Sequence, residues 1–244
     1  VDFTLATYGE LLEAFKSKGY SFVSYADMRP TESHIILRHD VDMDLDRAVQ
    51  MAEFEAGKSV RSHYYVLLRT EMYNVFSNRA HASLRRLLEL GHQVGLHFDA
   101  SHYPQERALL EAAAENECDI LGSLLGERVE TITFHRPALP LQGLAGTFAK
   151  RLHGYDPRFF SDIGYCSDSE GRWRFGHPLE HEAIARGTAL QLVTHPIWWC
   201  ALPGEKVETK LQRLLLDVSQ TMTREVALNC KPFKAYLKEQ VVNL

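Results

Sequence analysis

The stretch His34-Ile-Ile-Leu-Arg-His-Asp-Val-Asp42 decides the fold. Its apolar start reads as a buried strand, and its end carries a histidine and two carboxylates. The residues that follow, LDRAVQMAEFEAG (45–57), space their apolar side chains for a helix and stop on a glycine. The same order recurs along the chain. RSHYYVLL (61–68) precedes ASLRRLLELG (82–91), HQVGLH (92–97) precedes a helix rich in Ala, Glu and Leu over 105–125, and LQLVTH (190–195) precedes a helix over 206–222. Strands alternating with helices predict a parallel sheet covered by helices, an α/β fold.

Other segments fill in the outline. Thr7 and Glu10 before LLEAFKSKG form a capping-box pattern. YSFVSY (20–25) and ETITFH (130–135) read as strands, LAGTFAKRLH (144–153) as a helix, and RFFSDIGY (158–165) as an extended piece. The end of the chain adds a helix interrupted at Pro232. Six or seven strands suit either a (β/α) barrel or an open doubly wound sheet. RHDVDMD carries no glycine, so a dinucleotide loop is unsupported. The 244 residues contain no linker, repeat or low-complexity segment, and the simplest organisation is one domain over 1–244.

Composition excludes some functions. Lys+Arg is 27 against Asp+Glu 32, a net charge of −5 with no basic block, which argues against a nucleic-acid partner. No apolar run reaches the roughly 18 residues a transmembrane helix needs. VDFTLATYGE shows neither a basic nor an apolar leader region, so the expected compartment is the cytoplasm. Cys118, Cys166, Cys200 and Cys230 lack metal-finger spacing and read as reduced thiols.

Chemistry gathers where parallel strands end. Four apolar runs end in polar residues: RHDVD (38–42), HFD (97–99), HRP (135–137) and THP (194–196). Asp40 and Asp42 lie two apart on one face of an extended segment. Two carboxylates so placed repel, so one is expected to hold a cation and the other to accept a proton. The acidic run Asp42, Asp44, Asp46 also suits a helix N-terminus, which explains one of them but not Asp40. His97, with Asp99 two residues on, ends one strand, and His135 ends another beside Arg136, a carboxylate clamp that could orient Asp40. His195, beside Pro196 and the aromatic pair Trp198-Trp199, suits a general acid at a pocket edge or a packed strand end. SDSEGRW (167–173), with Asp168 and Trp173, reads equally as a sugar-lining loop or as a turn around Gly171. With no GxSxG elbow and no reactive cysteine, a metal-activated water is the favoured chemistry for an aspartate and two histidines.

Taken together, RHDVD, GHQVGLHFD, FHRP, SDSEGRW and THPIWW resemble the polysaccharide deacetylase superfamily (NodB homology, carbohydrate esterase family 4) over residues 3–215, leaving 216–244 as a C-terminal helical segment. The nearest likeness is to the HDVD branch found in surface-polysaccharide and O-antigen gene clusters. The resemblance implies a distorted (β/α) barrel of about seven parallel strands. It implies a metal-dependent hydrolase that removes an acetyl or formyl group from an N-acylated amino sugar, whether nucleotide-linked, lipid-linked or polymeric. Asp40 matches the family's catalytic base, Arg136 the arginine that orients it, and His195 the general acid. Asp42 stands in for the metal aspartate, one position displaced. His97 matches the first metal histidine. The second is expected four residues later, where Ser101 stands, with His102 one place beyond, and His135 is the preferred third ligand. The implied cofactor is one divalent ion, zinc foremost, with Co, Ni, Mn or Fe as alternatives. Asp99, Asp168, Trp173 and Trp198 are the expected substrate contacts. The missing second histidine leaves an alternative, a catalytically silent sugar-binding or scaffold protein of the same pathway.

Overall fold

A computed structural model describes residues 2–137, 141 and 143–242, with side chains through 239. The chain divides into two compact units, Val1–Pro203 and Gly204–Leu244.

The first unit is a distorted (β/α) barrel. Its strands are β1 (Ser21–Phe22), β2 (His34–Val41), β3 (His63–Val66), β4 (Gln93–Asp99), β5 (Thr131–His135), β6 (Leu152–His153), β7 (Gly164–Ser167) and β8 (Leu190–Thr194). All pair in parallel, in the order β6-β5-β4-β3-β2-β8-β7, with β1 added beside β2. The sheet curls but does not close, because its two end strands, β6 and β7, are not paired. The helices are α1 (Leu5–Ser17), α2 (Leu45–Gly57), α3 (Asn78–Glu89), α4 (Arg107–Leu125) and the short α5 (Pro157–Phe160), α6 (Glu182–Arg186) and α7 (Pro196–Trp199).

Alternation along β2 separates two cores. Val41 packs outward with Leu45, Ala48 and Ala52 of α2 and with Tyr64, Leu96, Phe98, Ile132 and Phe134 of the neighbouring strands. Ile36 faces inward with Tyr25, Met28, Tyr65, Phe159 and Ile163. Side chains two apart share a face, so Arg38 and Asp40 lie on the inward side with Ile36. Gly95 of β4 also faces this interior. A Cβ there would lie 2.4 Å from the Tyr65 ring and 2.8 Å from the Thr131 carbonyl oxygen. The missing side chain lets the Tyr65 side chain pass over β4 and its hydroxyl donate to Thr131 Oγ1 on β5 at 2.9 Å.

Four local expectations are corrected. The capping box of α1 is built by Thr4 and Thr7, not Thr7 and Glu10, because the helix begins at Leu5. LAGTFAKRLH forms no helix. Gly146, Ala149 and Lys150 take positive φ (88°, 48° and 60°), which reverses the chain and pairs Phe148 with Arg151 ahead of β6. RFFSDIGY divides between α5 and β7. In the second unit α8 runs over Val207–Asn229 and α9 over Lys231–Val242. The break therefore falls at the extended Cys230, and Pro232 sits in the first turn of α9, where its missing N–H has no partner to lose. Among the described residues no helix is long and apolar enough to cross a membrane. The four cysteines are free thiols.

Candidate metal centre and its acid–base neighbours

The polar strand ends meet at one rim. Asp42 follows β2, His97 lies near the end of β4, His135 closes β5 and His195 follows β8. His97 Nε2 is 3.3 Å from Asp42 Oδ1, His135 Nδ1 is 3.3 Å from the same oxygen, and the two imidazole nitrogens are 3.2 Å apart. Three donor atoms thus form a nearly equilateral triangle, the one such ligand group among the described residues. Two ligands bonded to zinc at 2.0–2.1 Å with tetrahedral angles stand about 3.3 Å from each other. The triangle has that size. Asp42 Oδ1 is buried and has no hydrogen-bond partner. A buried carboxylate oxygen facing two imidazole nitrogens without a hydrogen bond is costly unless a cation joins them. The donor set therefore fits a divalent ion.

Neighbours orient the ligands. His97 Nδ1 lies 2.7 Å from Thr133 Oγ1 on the adjoining strand, so an Nδ1–H donated there leaves the Nε2 lone pair facing Asp42. Arg136 Nε donates to His135 Nε2 at 2.9 Å. Ligation through Nδ1 requires the ring proton on Nε2, so Arg136 must then move aside, and it is exposed and able to do so. His102 is not part of the triangle. It sits on the turn after β4, nearly half exposed, with Nε2 3.9 Å from Asp99.

Asp40 stands beside the triangle, its Oδ2 3.8 Å from His97 Nε2. Arg136, expected to orient it, does not reach it, since the positive φ of 48° turns that residue out of the strand to the surface. Arg38 holds Asp40 instead. Its Nε donates to Oδ1 at 2.8 Å and its Nη2 to Oδ2 at 2.7 Å, a bidentate clamp between side chains on one face of β2. Burial raises the Asp40 pKa, but the charge and hydrogen bonds of Arg38, together with His97 and His195, outweigh it and hold the carboxyl below the usual range.

His195 stands beside another member of the triangle, with Nε2 3.9 Å from Asp42 Oδ2. Its Nδ1 meets Asp168 Oδ1 at 2.6 Å, and Asp168 Oδ2 accepts from the His195 backbone N–H at 3.1 Å and from Trp199 Nε1 at 2.7 Å. Burial disfavours the imidazolium, but the charge and hydrogen bond of Asp168, with Asp42 and Asp40, override it and push the pKa up to about 9. The surrounding carboxylates thus favour the protonated form of His195.

The expected substrate contacts fare less well. Asp168 is fully buried and taken up by His195 and Trp199, so it is unavailable to a sugar. Trp198 is buried, and Trp173 packs against Phe3 and Trp199 at ring distances of 5.6 and 5.8 Å. Asp99 is buried, and its Oδ1 accepts from the backbone N–H and hydroxyl of Ser101 at 2.9 and 2.6 Å.

No protein-family model matches the chain, and no curated protein does. Solved structures do. The chain is similar to the deacetylase PplD of Streptococcus pyogenes, solved in complex with acetate (14% identity, 82% of each chain, TM-score 0.43). It is similar to a family 4 carbohydrate esterase from Bacillus anthracis (12% identity, 86% of each chain, TM-score 0.43). A third is the polysaccharide deacetylase Bc1974 from Bacillus cereus (11% identity, 79% of this chain and 89% of that one, TM-score 0.45). All three are deacetylases or carbohydrate esterases.

Proposed function

We propose that the protein is a metal-dependent hydrolase that removes a small acyl group, acetyl or formyl, from the nitrogen of an amino sugar. On this reading it is a member of the polysaccharide deacetylase superfamily that its motifs resemble. The observation that carries the proposal is the Asp42–His97–His135 triangle, flanked within 3.8 and 3.9 Å by the clamped carboxylate of Asp40 and by His195 with its Asp168 partner.

Asp42, His97 and His135 would hold the ion, and an imidazole–carboxylate donor set suits zinc, with Co, Ni, Mn or Fe as alternatives. When bound, a divalent ion supplies a polarised acyl oxygen and a water of lowered pKa. The chain's own residues do the rest. Asp40, ionised and held in one orientation by Arg38, accepts the proton of the attacking water. An amide nitrogen does not leave as an anion, so it needs a proton as the C–N bond breaks. His195 carries that proton, and Asp168 fixes its tautomer and stabilises its charge. Base and acid flank different members of the triangle, Asp40 beside His97 and His195 beside Asp42, so one group accepts a proton while the other gives one.

The motif resemblance supports the finer parts of the reading: an enzyme of surface-polysaccharide (O-antigen) synthesis, acting on a nucleotide-linked, lipid-linked or polymeric sugar. The test is Asp40→Asn. Turnover of N-acylated amino sugars should fall by about 10²–10⁴-fold while bound metal is retained. Unchanged turnover would remove Asp40 from the mechanism. Wild-type protein that binds metal and sugar yet releases no acyl group would instead support the silent sugar-binding alternative.

A further inference from the structure

The second unit, Gly204–Leu244, differs in charge from the first. It holds seven Lys or Arg against five Asp or Glu, a net charge of +2. The whole chain carries −5, so the first unit alone is −7. The second unit also concentrates apolar side chains in water. Leu215, Leu216, Met222, Val226, Leu228 and Tyr236 are exposed, Leu215 by 62%, Met222 by 58% and Tyr236 by 53%. Its two helices sort these groups by face. On α8, Leu211, Leu215, Val218, Met222 and Val226 recur every three or four residues, with Leu216 beside them. Arg213, Asp217, Gln220 and Arg224 line the opposite face. On α9, Lys231, Lys234 and Lys238 form one row, all exposed and, among the described residues, without an ion pair. Phe233, Tyr236 and Leu237 take the other side, where the rings of Phe233 and Tyr236 stack at 6.2 Å.

So much apolar surface on one short stretch is costly unless a partner covers it. Charge and width identify the partner. The row of unpaired lysines complements an anionic surface, whereas a second copy of this unit is itself cationic and is repelled. The apolar arc of α8 takes in Leu216 as well as the row from Leu211 to Val226, which is wider than the seam of a coiled-coil pair. A helix with an apolar face and lysines on its polar face lies flat in the headgroup layer of a bilayer. Among the described residues no helix would cross that bilayer, so contact is with its surface.

We propose that α8 and α9 dock the protein on the surface of an anionic membrane. Leu215, Met222 and Val226 enter the headgroup layer, and Lys231, Lys234 and Lys238 pair with lipid phosphates. The acidic first unit gains nothing from such a surface, so the attraction resides in the second. None of these residues belongs to the metal centre or its acid–base neighbours, and the proposal stands apart from the deacylase reading.

The experiment sediments the full chain with vesicles of phosphatidylcholine alone or with about 30% phosphatidylglycerol added, which gives the surface its negative potential. The protein should bind only the mixed vesicles, and about 1 M salt should release it, because the Debye length is then about 3 Å. Replacing all three lysines (K231Q, K234Q and K238Q together) should weaken binding about 10²-fold, or about fivefold for each lysine. Leu215→Ser with Met222→Ser should weaken it about tenfold. Because all five side chains are exposed, circular dichroism and melting temperature should match the wild type. No sedimentation with either vesicle, equal binding to both, or a lysine variant that binds like the wild type would overturn the proposal. So would a wild type that is dimeric in light scattering and binds no vesicle, with the Leu215→Ser, Met222→Ser variant monomeric, since the α8 face would then belong to a second copy.

Discussion

Arg38 and Arg136 both lie near the cluster, and they predict opposite phenotypes. Arg38 makes two parallel bonds to Asp40 in a buried setting. Lysine keeps the charge but loses the fork. Arg38→Lys should therefore lower kcat by about 10²-fold with little change in KM, because the base loses its orientation. Arg136 is exposed and, among the described residues, touches only His135 Nε2 at the site. Arg136→Ala should leave kcat within about threefold and leave metal uptake as tight or tighter, because a competing donor is gone. Steady-state kinetics and a zinc competition titration check both, and an inactive Arg136→Ala beside an active Arg38→Lys would refute the assignment. The sequence reading gave this role to Arg136 and passed over Arg38, although the pattern held the signal. The spacing that sets Asp40 and Asp42 on one face sets Arg38 there too. Asp168 was harder to read. Its position in a Ser/Asp/Gly-rich turn says nothing of the His195 imidazole, which arrives from another strand 27 residues on.

Beneath the site, one buried carboxylate ties the elements together. Glu55 of α2 is fully buried and accepts from Tyr8 of α1, from Ser62 at 2.7 Å and from Tyr64 of β3 at 2.9 Å. His39 Nε2 of β2 lies 2.8 Å from it, and His39 Nδ1 meets Thr194 Oγ1 of β8 at 2.6 Å. Burial opposes ionisation of Glu55, but His39 and these donors hold its pKa down to about 2. Removing one member of such a buried network strands the others. Glu55→Ala should lower unfolding stability by about 3–5 kcal/mol in a denaturant titration. A change below about 1 kcal/mol would show that the network is not structural. Periodicity predicted α2 over its full observed range, yet it carried no sign that Glu55 would be buried. The misread segment LAGTFAKRLH failed for a related reason. Its apolar spacing mimics a helix, while positive φ at Ala149 and Lys150 is imposed by the chain reversal into β6.

At the scale of the whole molecule, two buried neutral histidines set the acid limit. Burial pushes both His63 and His153 down to about 4. The unfolded chain binds these protons below about pH 6.5 and the folded chain does not until about pH 4, so stability falls across that window as pH drops. The loss is up to about 3 kcal/mol for each. Unfolding midpoints measured from pH 7 to pH 4 should show this slope, and His153→Phe should reduce it; a flat profile would contradict it. The repeated strand–helix order made the parallel (β/α) architecture readable from the chain. The order β6-β5-β4-β3-β2-β8-β7 and the unpaired seam were not readable, because they depend on contacts among strands far apart in sequence. The central claim is that these strand ends assemble one metal centre. Elemental mass spectrometry of the purified protein and of Asp42→Ala and His135→Ala tests it directly. The account predicts near one equivalent of a divalent metal in the wild type and its loss in both variants. Wild-type protein that takes up no zinc, cobalt or nickel after incubation, or variants that bind as well as it does, would contradict the account.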